Sequence, residues 1–256
     1  DEEYEPSSEY DSSFALQIFA AREAVFKILA KESLSIHEKL IVILDMGSKI
    51  QQCINTDEYD NIKSVVNDYL KEGIAHTLDE TRNLSDSGQF EDISLQQGIR
   101  QILYPYEEME VLNPEWEVIL KDIIDSLFEQ MSDEEYNILN EEFGTYMVSR
   151  AYEYRQLLEY FVFRYFAKSI YDYDFLGKCQ MLVTNFFVIR QMDIIRWLDN
   201  HREYSFKDRM DVVHIFSRQV EYSEDNIENL YEDFIFDDIF KTDSLIAILW
   251  IDSENI

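Results

Sequence analysis

The stretch FALQIFAAREAVFKILAKESLSIHEKL, residues 14–40, decides the fold class. Its apolar positions Phe14, Ile18, Ala21, Val25, Ile28 and Leu29 recur every three or four residues, the spacing that lines one face of an α-helix. Ser35-Ile36-His37-Glu38 then reads as a capping box. The Ser35 hydroxyl accepts from the third helical amide while Glu38 reaches back, so a second helix starts there and runs to about Gln52.

The same signals continue outward. Residues 1–13 mix acid, Ser and Pro without periodicity and read as a flexible acidic lead-in. Asp57 to about Glu72 is helical again, with Gly73 as a stop or weak point. RNLSDSGQFED, residues 82–92, loses the periodicity and is the candidate internal division. A short helix near 93–104 follows, and Pro105 and Pro114 bracket an irregular stretch, so the division spans 82–115. Pro114 suits a first helical turn, where the missing amide has no partner to lose. Ser132 to Glu135 is a second capping box, opening a helix that ends or bends at Gly144. Ser205 to Asp208 is a third, for a helix to about Tyr222, and Ser223 to Asn226 restarts the chain. YFVFRYF, residues 160–166, is apolar nearly all round and reads as the helix at the centre of the bundle.

Composition agrees with helix. Six Gly and three Pro among 256 residues are too few turn-makers for a multi-stranded sandwich or barrel. The 17 Phe, 17 Tyr and 3 Trp suffice for a large core, which excludes intrinsic disorder. We expect one all-α domain over 14–256, an irregular multi-helix bundle of roughly eight to ten helices. The net charge of -31 repels phosphate backbones and anionic lipid surfaces, so neither nucleic acid nor membrane is an expected partner. The most apolar stretch, 179–198, is broken by Arg190, Asp193 and Arg196 and falls short of the roughly 20 apolar residues of a membrane span. Cys53 and Cys179 lie far apart and read as core residues in a reducing, cytoplasmic compartment. The chain opens on Asp1 rather than Met, and so reads as a trimmed form or part of something longer.

Charge is segregated. Residues 150–218 hold eleven basic and nine acidic side chains, a local +2 against -33 for the remainder, and this region is also the most aromatic. Arg164 lies inside the aromatic run and is expected to be buried and paired with a carboxylate, either fixing register or holding an anionic ligand. Asp211, His214, Arg218 and Glu221 recur at spacings that share one helix face. They form either a solvated ion-pair face or, if the face points into a cleft, a ligand site. Arg190, Asp193 and Trp197 also share a face, with an Asp–Arg pair over the core as the alternative to a ligand role. The ligand-binding candidates are thus Arg164, Arg190, Asp193, His214, Arg218 and Glu221, and no catalytic residue is assigned. No Gly-rich phosphate loop is present, so no Rossmann-type nucleotide or methyl-donor site is encoded. The four histidines stand apart, only Asp211-x-x-His214 approximates a Glu-x-x-His pair, and no metal site is expected.

Four segments together resemble one family: AREAVFKILAKESLSIHEKL (21–40), YFVFRYFAKSIYDYDFLGK (160–178), VIRQMDIIRWL (188–198) and DVVHIFSRQVEYSEDNIENLYEDF (211–234). In order and approximate spacing they are similar to the C-terminal helical portion of flagellin lysine N-methylase-like proteins of Gram-positive bacteria. The sharpest elements are Arg164 in its aromatic run, Ile189-Arg190, and Ser217-Arg218 followed by Glu221 and Ser223. Many relatives carry Glu-His-Ser where this chain has Glu221-Tyr222-Ser223, so nothing catalytic is placed there. The resemblance implies a complete protein that transfers methyl groups from S-adenosylmethionine to lysines of flagellin. It also implies an N-terminal cysteine-cluster module, for a metal or iron–sulfur cluster, that this chain does not contain. On that expectation the chain is the helical region, with little or no methyltransferase activity alone, contributing a groove near Arg164, Arg190 and Arg218. The alternative is a non-enzymatic, acidic helical interaction module that binds a basic partner.

Overall fold

A computed structural model describes residues 12–86 and 94–254; the 87–92 part of the expected loop and most of the lead-in lie outside them. The described residues contain helices and no strand. In chain order the helices are α1 (Ser12–Leu29), α2 (Ile36–Asn55), α3 (Ile62–Asp68), α4 (Ile74–Asp86), α5 (Leu95–Glu107), α6 (Pro114–Ile123) and α7 (Asp133–Met147). They continue with α8 (Ala151–Tyr165), α9 (Ser169–Asp172), α10 (Phe175–Asp199), α11 (Phe206–Phe216), α12 (Glu224–Phe236) and α13 (Thr242–Glu254). Single π-helical turns follow α3 (Tyr69–Gly73), α6 (Ile124–Glu129) and α11 (Ser217–Glu221). The expected all-α bundle is therefore the fold.

All three capping boxes form, at Ser35/Glu38, Ser132/Glu135 and Ser205/Asp208, and Pro114 stands in the first turn of α6. Ser223 caps α12 through the Asn226 amide. Gly73 is the weak point of a helix that continues past it: the chain takes a π turn at Tyr69–Gly73 and runs on into α4. Two local readings need correction. Pro105 lies inside α5 rather than at its end. The next residue, Tyr106, is fully buried, with its hydroxyl 2.9 Å from both Thr184 Oγ1 and Asn185 Oδ1. Gly144 does not end α7, which continues to Met147.

The second correction concerns the centre. The 160–166 run buries Phe161, Val162, Tyr165 and Phe166 but exposes Tyr160, Phe163 and Arg164, so α8 is an outer helix with one apolar face. The central helix is α10, 25 residues long and buried at every position from Gly177 through Ile195. It packs against α2, α5, α6, α8, α11 and α12, while α2 also meets α1, α4 and α13. A helix enclosed on all sides can present polar groups only to other buried groups, and that is what gives Arg190 and Asp193 their partners.

The irregular stretch between α5 and α6 is held from a distance. Gln219 Oε1 accepts from the Leu112 and Asn113 amides at 2.9 and 3.2 Å, and Asn226 both accepts from and donates to the Glu110 backbone. Close approach of α2 and α10 depends on Gly47: a Cβ there would stand 2.6 Å from Cys179 Sγ. Gly47→Ala is therefore expected to destabilise the fold by about 1–3 kcal/mol despite alanine's better helix propensity. Cys179→Ala in the same chain should recover part of that loss, read as the midpoint of urea unfolding; a Gly47→Ala chain as stable as the parent would mean that the helices separate freely.

Candidate functional site

The N-terminal turn of α2, the last turns of α7, the start of α8 and the middle of α10 enclose an apolar pocket of about 240 Å³. Its walls are mainly Phe143, Met147, Val148, Ala151, Tyr154 and Phe186, with Gly144 contributing no side chain and so leaving space. Besides Ser35 and the Tyr154 phenol, His37 from the first turn of α2 and Arg190 from α10 line it. His37 is where it is because the Ser35 cap fixes the direction of that turn.

Behind the pocket stands Asp252 of α13, fully buried. His37 Nε2 lies 2.7 Å from Asp252 Oδ2, and Asn140 Nδ2 donates to Asp252 Oδ1 at 2.5 Å. Arg190 Nε is 3.7 Å from Asp252 Oδ2, its Nη2 donates to the Asn140 carbonyl at 3.3 Å, and its guanidinium lies over the Phe143 ring. Arg190 Nη1 is buried without a hydrogen-bond partner among the described residues. Burial alone would raise the Asp252 carboxyl, but Arg190 first and His37 second outweigh it and hold the group well below the usual carboxylate range.

That shift has a consequence for acid stability. The folded chain binds the Asp252 proton less tightly than the unfolded chain does. Its contribution is therefore complete above the unfolded value near 4 and is lost as pH falls below it. Asp252→Asn is expected to lower stability at pH 7 and to flatten the loss between about pH 5 and 2, measured by urea titrations across that window. Unchanged acid dependence would assign the loss to the other carboxylates that are held low, the capping Glu135 and Asp208 and the arginine-bound Glu153.

A second buried network adjoins the first through Tyr154, which lines the pocket and donates to Asp193 Oδ2 at 2.6 Å. Arg209 Nη1 reaches the same oxygen at 2.5 Å, and the Tyr204 hydroxyl donates to Oδ1. Arg209 also donates through Nε to Glu153 Oε2 at 3.1 Å, and Glu153 is bound in turn by Arg150. Burial pushes the Asp193 carboxyl up against the opposing pull of Arg209 and the two phenols.

The six sequence candidates do not converge on one point. Arg190 and Asp193 sit on α10 but belong to different networks, and neither pairs with the other. Arg164 does have a carboxylate partner, Glu221 at 3.1 Å, yet the arginine is half exposed while Glu221 is buried. Tyr160 donates to the same Glu221 oxygen at 2.6 Å, and burial raises that carboxyl. The 211–221 stripe is split by the Ser217–Glu221 π turn, which adds a residue to the turn and breaks the helical phase. Glu221 consequently faces inward, Asp211 is half-buried, and His214 and Arg218 are exposed. Sequence reasoning missed His37, Asn140, Arg209 and Asp252. Of these, His37 and Arg209 had a local signal, their places in the first turns after the Ser35 and Ser205 caps.

The family model of the FliB lysine N-methylase C-terminal domain matches residues 22–248. That span holds the six candidates, His37, Asn140 and Arg209, whereas Asp252 lies just beyond it. No curated protein and no solved structure matches the chain.

Proposed function

Because the chain belongs to the FliB lysine N-methylase C-terminal domain family, we propose that it is the helical region of a protein that methylates protein lysines, with flagellin as substrate and S-adenosylmethionine as donor. The observation that carries this reading is the extent of the match, residues 22–248 of 256.

The residues present constrain what this region does. An iron–sulfur cluster wants Cys ligands in a group, and Cys53 and Cys179 are single, buried thiols, with no cluster of His, Cys, Asp and Glu suited to a metal among the described residues. The chain therefore does not fit such a cluster. The Arg190 pocket, at about 240 Å³, is also below the roughly 300–1,000 Å³ of pockets that take drug-sized ligands, so it does not fit S-adenosylmethionine whole. In this reading the helical region recognises the protein substrate and supports the site of transfer, and Arg190 is the ligand-binding candidate that stands at a pocket.

The test is transfer of a labelled methyl group from S-adenosylmethionine to flagellin lysines, comparing this chain with a longer one that carries a cysteine-rich module. Activity confined to the longer chain is expected; equal activity in both would oppose the proposal.

The alternative, an acidic module for a basic partner, has its own support. Among the described residues the buried charges balance: Lys39, Lys178, Arg190 and Arg209 against Glu153, Asp193, Glu221 and Asp252. Among those residues the excess of acid over base is therefore carried outside the core, where a lysine-rich protein would meet it. No helix of the described residues is long and apolar enough to cross a membrane.

A further inference from the structure

We propose that the groove between α5 and the link from α12 to α13, with the exposed Ile235 and Phe236 beside it, is the docking surface for a basic segment of a partner protein, one that carries lysine next to an apolar side chain. It rests on the reading that the partner is a basic, lysine-bearing protein, and adds where on the acidic surface that protein is held.

The apolar part of the surface follows from helix phase. On α12, Ile227, Leu230 and Phe234 take the inner face at spacings of three and four, and Phe234 packs on Phe240 with ring centroids 5.1 Å apart. Ile235 and Phe236 then fall on the outer side of the last turn, 74% and 78% exposed. The chain turns at Asp237, and Asp237, Asp238 and Ile239 line one side of a groove of about 520 Å³. Arg100, Gln101 and the half-exposed Tyr104 of α5 line the other. The link is held in place from within: Gln180 of the central helix donates to the Phe240 carbonyl at 2.8 Å, and Ser244 donates to the Asp238 carbonyl at 2.9 Å. The groove is therefore formed before any partner arrives, and two adjacent large apolar side chains left in water at its edge mark a contact surface.

Charge selects the occupant. The two cations at the groove are already matched, Arg100 by Glu107 and Lys241 by Asp238 at 2.5 Å. The Tyr104 hydroxyl donates to Glu108 Oε1 at 3.2 Å and keeps that carboxylate at the α5 side. Burial first, then Asp237, Glu108 and Glu232, raise the Asp233 carboxyl, and no cation opposes them. A rim of this kind repels nucleic acid, anionic lipid and a second copy of a chain at -31, and attracts ammonium groups. A lysine in the groove meets the Tyr104 ring as well as the carboxylates, while Ile235 and Phe236 cover its apolar neighbour.

The probes are two capped hexapeptides, one alternating Lys and Leu and the other Lys and Ser, titrated calorimetrically into the full chain at about 20 mM salt, where surface charge is weakly screened. The Lys–Leu peptide is expected to bind more tightly than the Lys–Ser peptide. Glu108→Gln/Asp237→Asn should weaken it about fivefold, whereas Asp79→Asn/Glu141→Gln, which removes the same charge from α4 and α7, should weaken it less than about twofold. Phe236→Ser should weaken the Lys–Leu peptide and leave the Lys–Ser peptide unchanged. All five side chains are exposed, so the variants keep the fold. Equal losses in the two charge variants would spread capture over the whole acidic surface and overturn the groove while the basic-partner reading stands. No binding of either peptide to the parent would overturn both. Equal affinity of the two peptides would overturn the apolar part, and a parent that sediments as a dimer beside a monomeric Phe236→Ser would give the surface to a second copy instead.

Discussion

Arg209→Met is expected to cost about 3–5 kcal/mol, the range found when one member of a buried ion pair is removed. The effect is this large because Arg209 serves two carboxylates at once. Asp193 is completely buried and would be left with only the Tyr154 and Tyr204 hydroxyls, while Glu153 would keep Arg150. Against a total stability of about 5–15 kcal/mol for a typical domain, the loss is a large fraction of the whole. A second substitution separates the cause from mere loss of packing. In Arg209→Met/Asp193→Leu no charge is stranded, although two phenols lose their acceptor, so the double variant should be more stable than the single one. Equilibrium urea unfolding of the three chains decides it. A single variant within about 1 kcal/mol of the parent would show that water reaches Asp193 and solvates it.

What the sequence made legible here was local. Ser35 and Glu38, Ser132 and Glu135, and Ser205 and Asp208 settle their helix starts within four residues, and the structure has all three boxes. Pro114 is legible for the same reason, since a proline's missing amide is decided by its own position in the turn. The central helix was not legible from one run of apolar residues. YFVFRYF at 160–166 looks apolar all round, yet Phe163 is exposed and it is the longer α10, interrupted by Arg190, Asp193 and Arg196, that is enclosed. The partners of the polar residues in α10 could not be read because they are remote in sequence or lie on other helices: Asp252 for Arg190, Arg209 for Asp193, and Tyr106 for Thr184 and Asn185. His37 and Asp252 meet across nearly the full length of the chain, a pairing that no spacing rule contains. The 211–221 stripe fails for a different reason. A π turn is a one-residue change of phase, invisible to a periodicity that assumes 3.6 residues per turn throughout.

Association with a lysine-rich protein is expected to slow by tenfold or more between about 10 mM and 150 mM salt, within the roughly 10–10³ that electrostatic steering adds to on-rates. The Debye length shrinks from about 30 Å to about 8 Å over that interval, so charges spread over the surface cease to act together. The premise is the placement of the excess. Residues 150–218 are close to neutral, at +2, and include Arg190 and the Arg209 network, whereas the rest of the chain carries -33. A basic substrate should therefore be captured by the acidic regions and not by the pocket. Stopped-flow association with a lysine-rich peptide should therefore fall steeply with salt. Salt-independent capture of the peptide would remove surface charge as the basis of recognition. It would leave the Arg164–Glu221 face and the exposed aromatics Tyr160 and Phe163 beside it as the surface on which a protein substrate is to be sought.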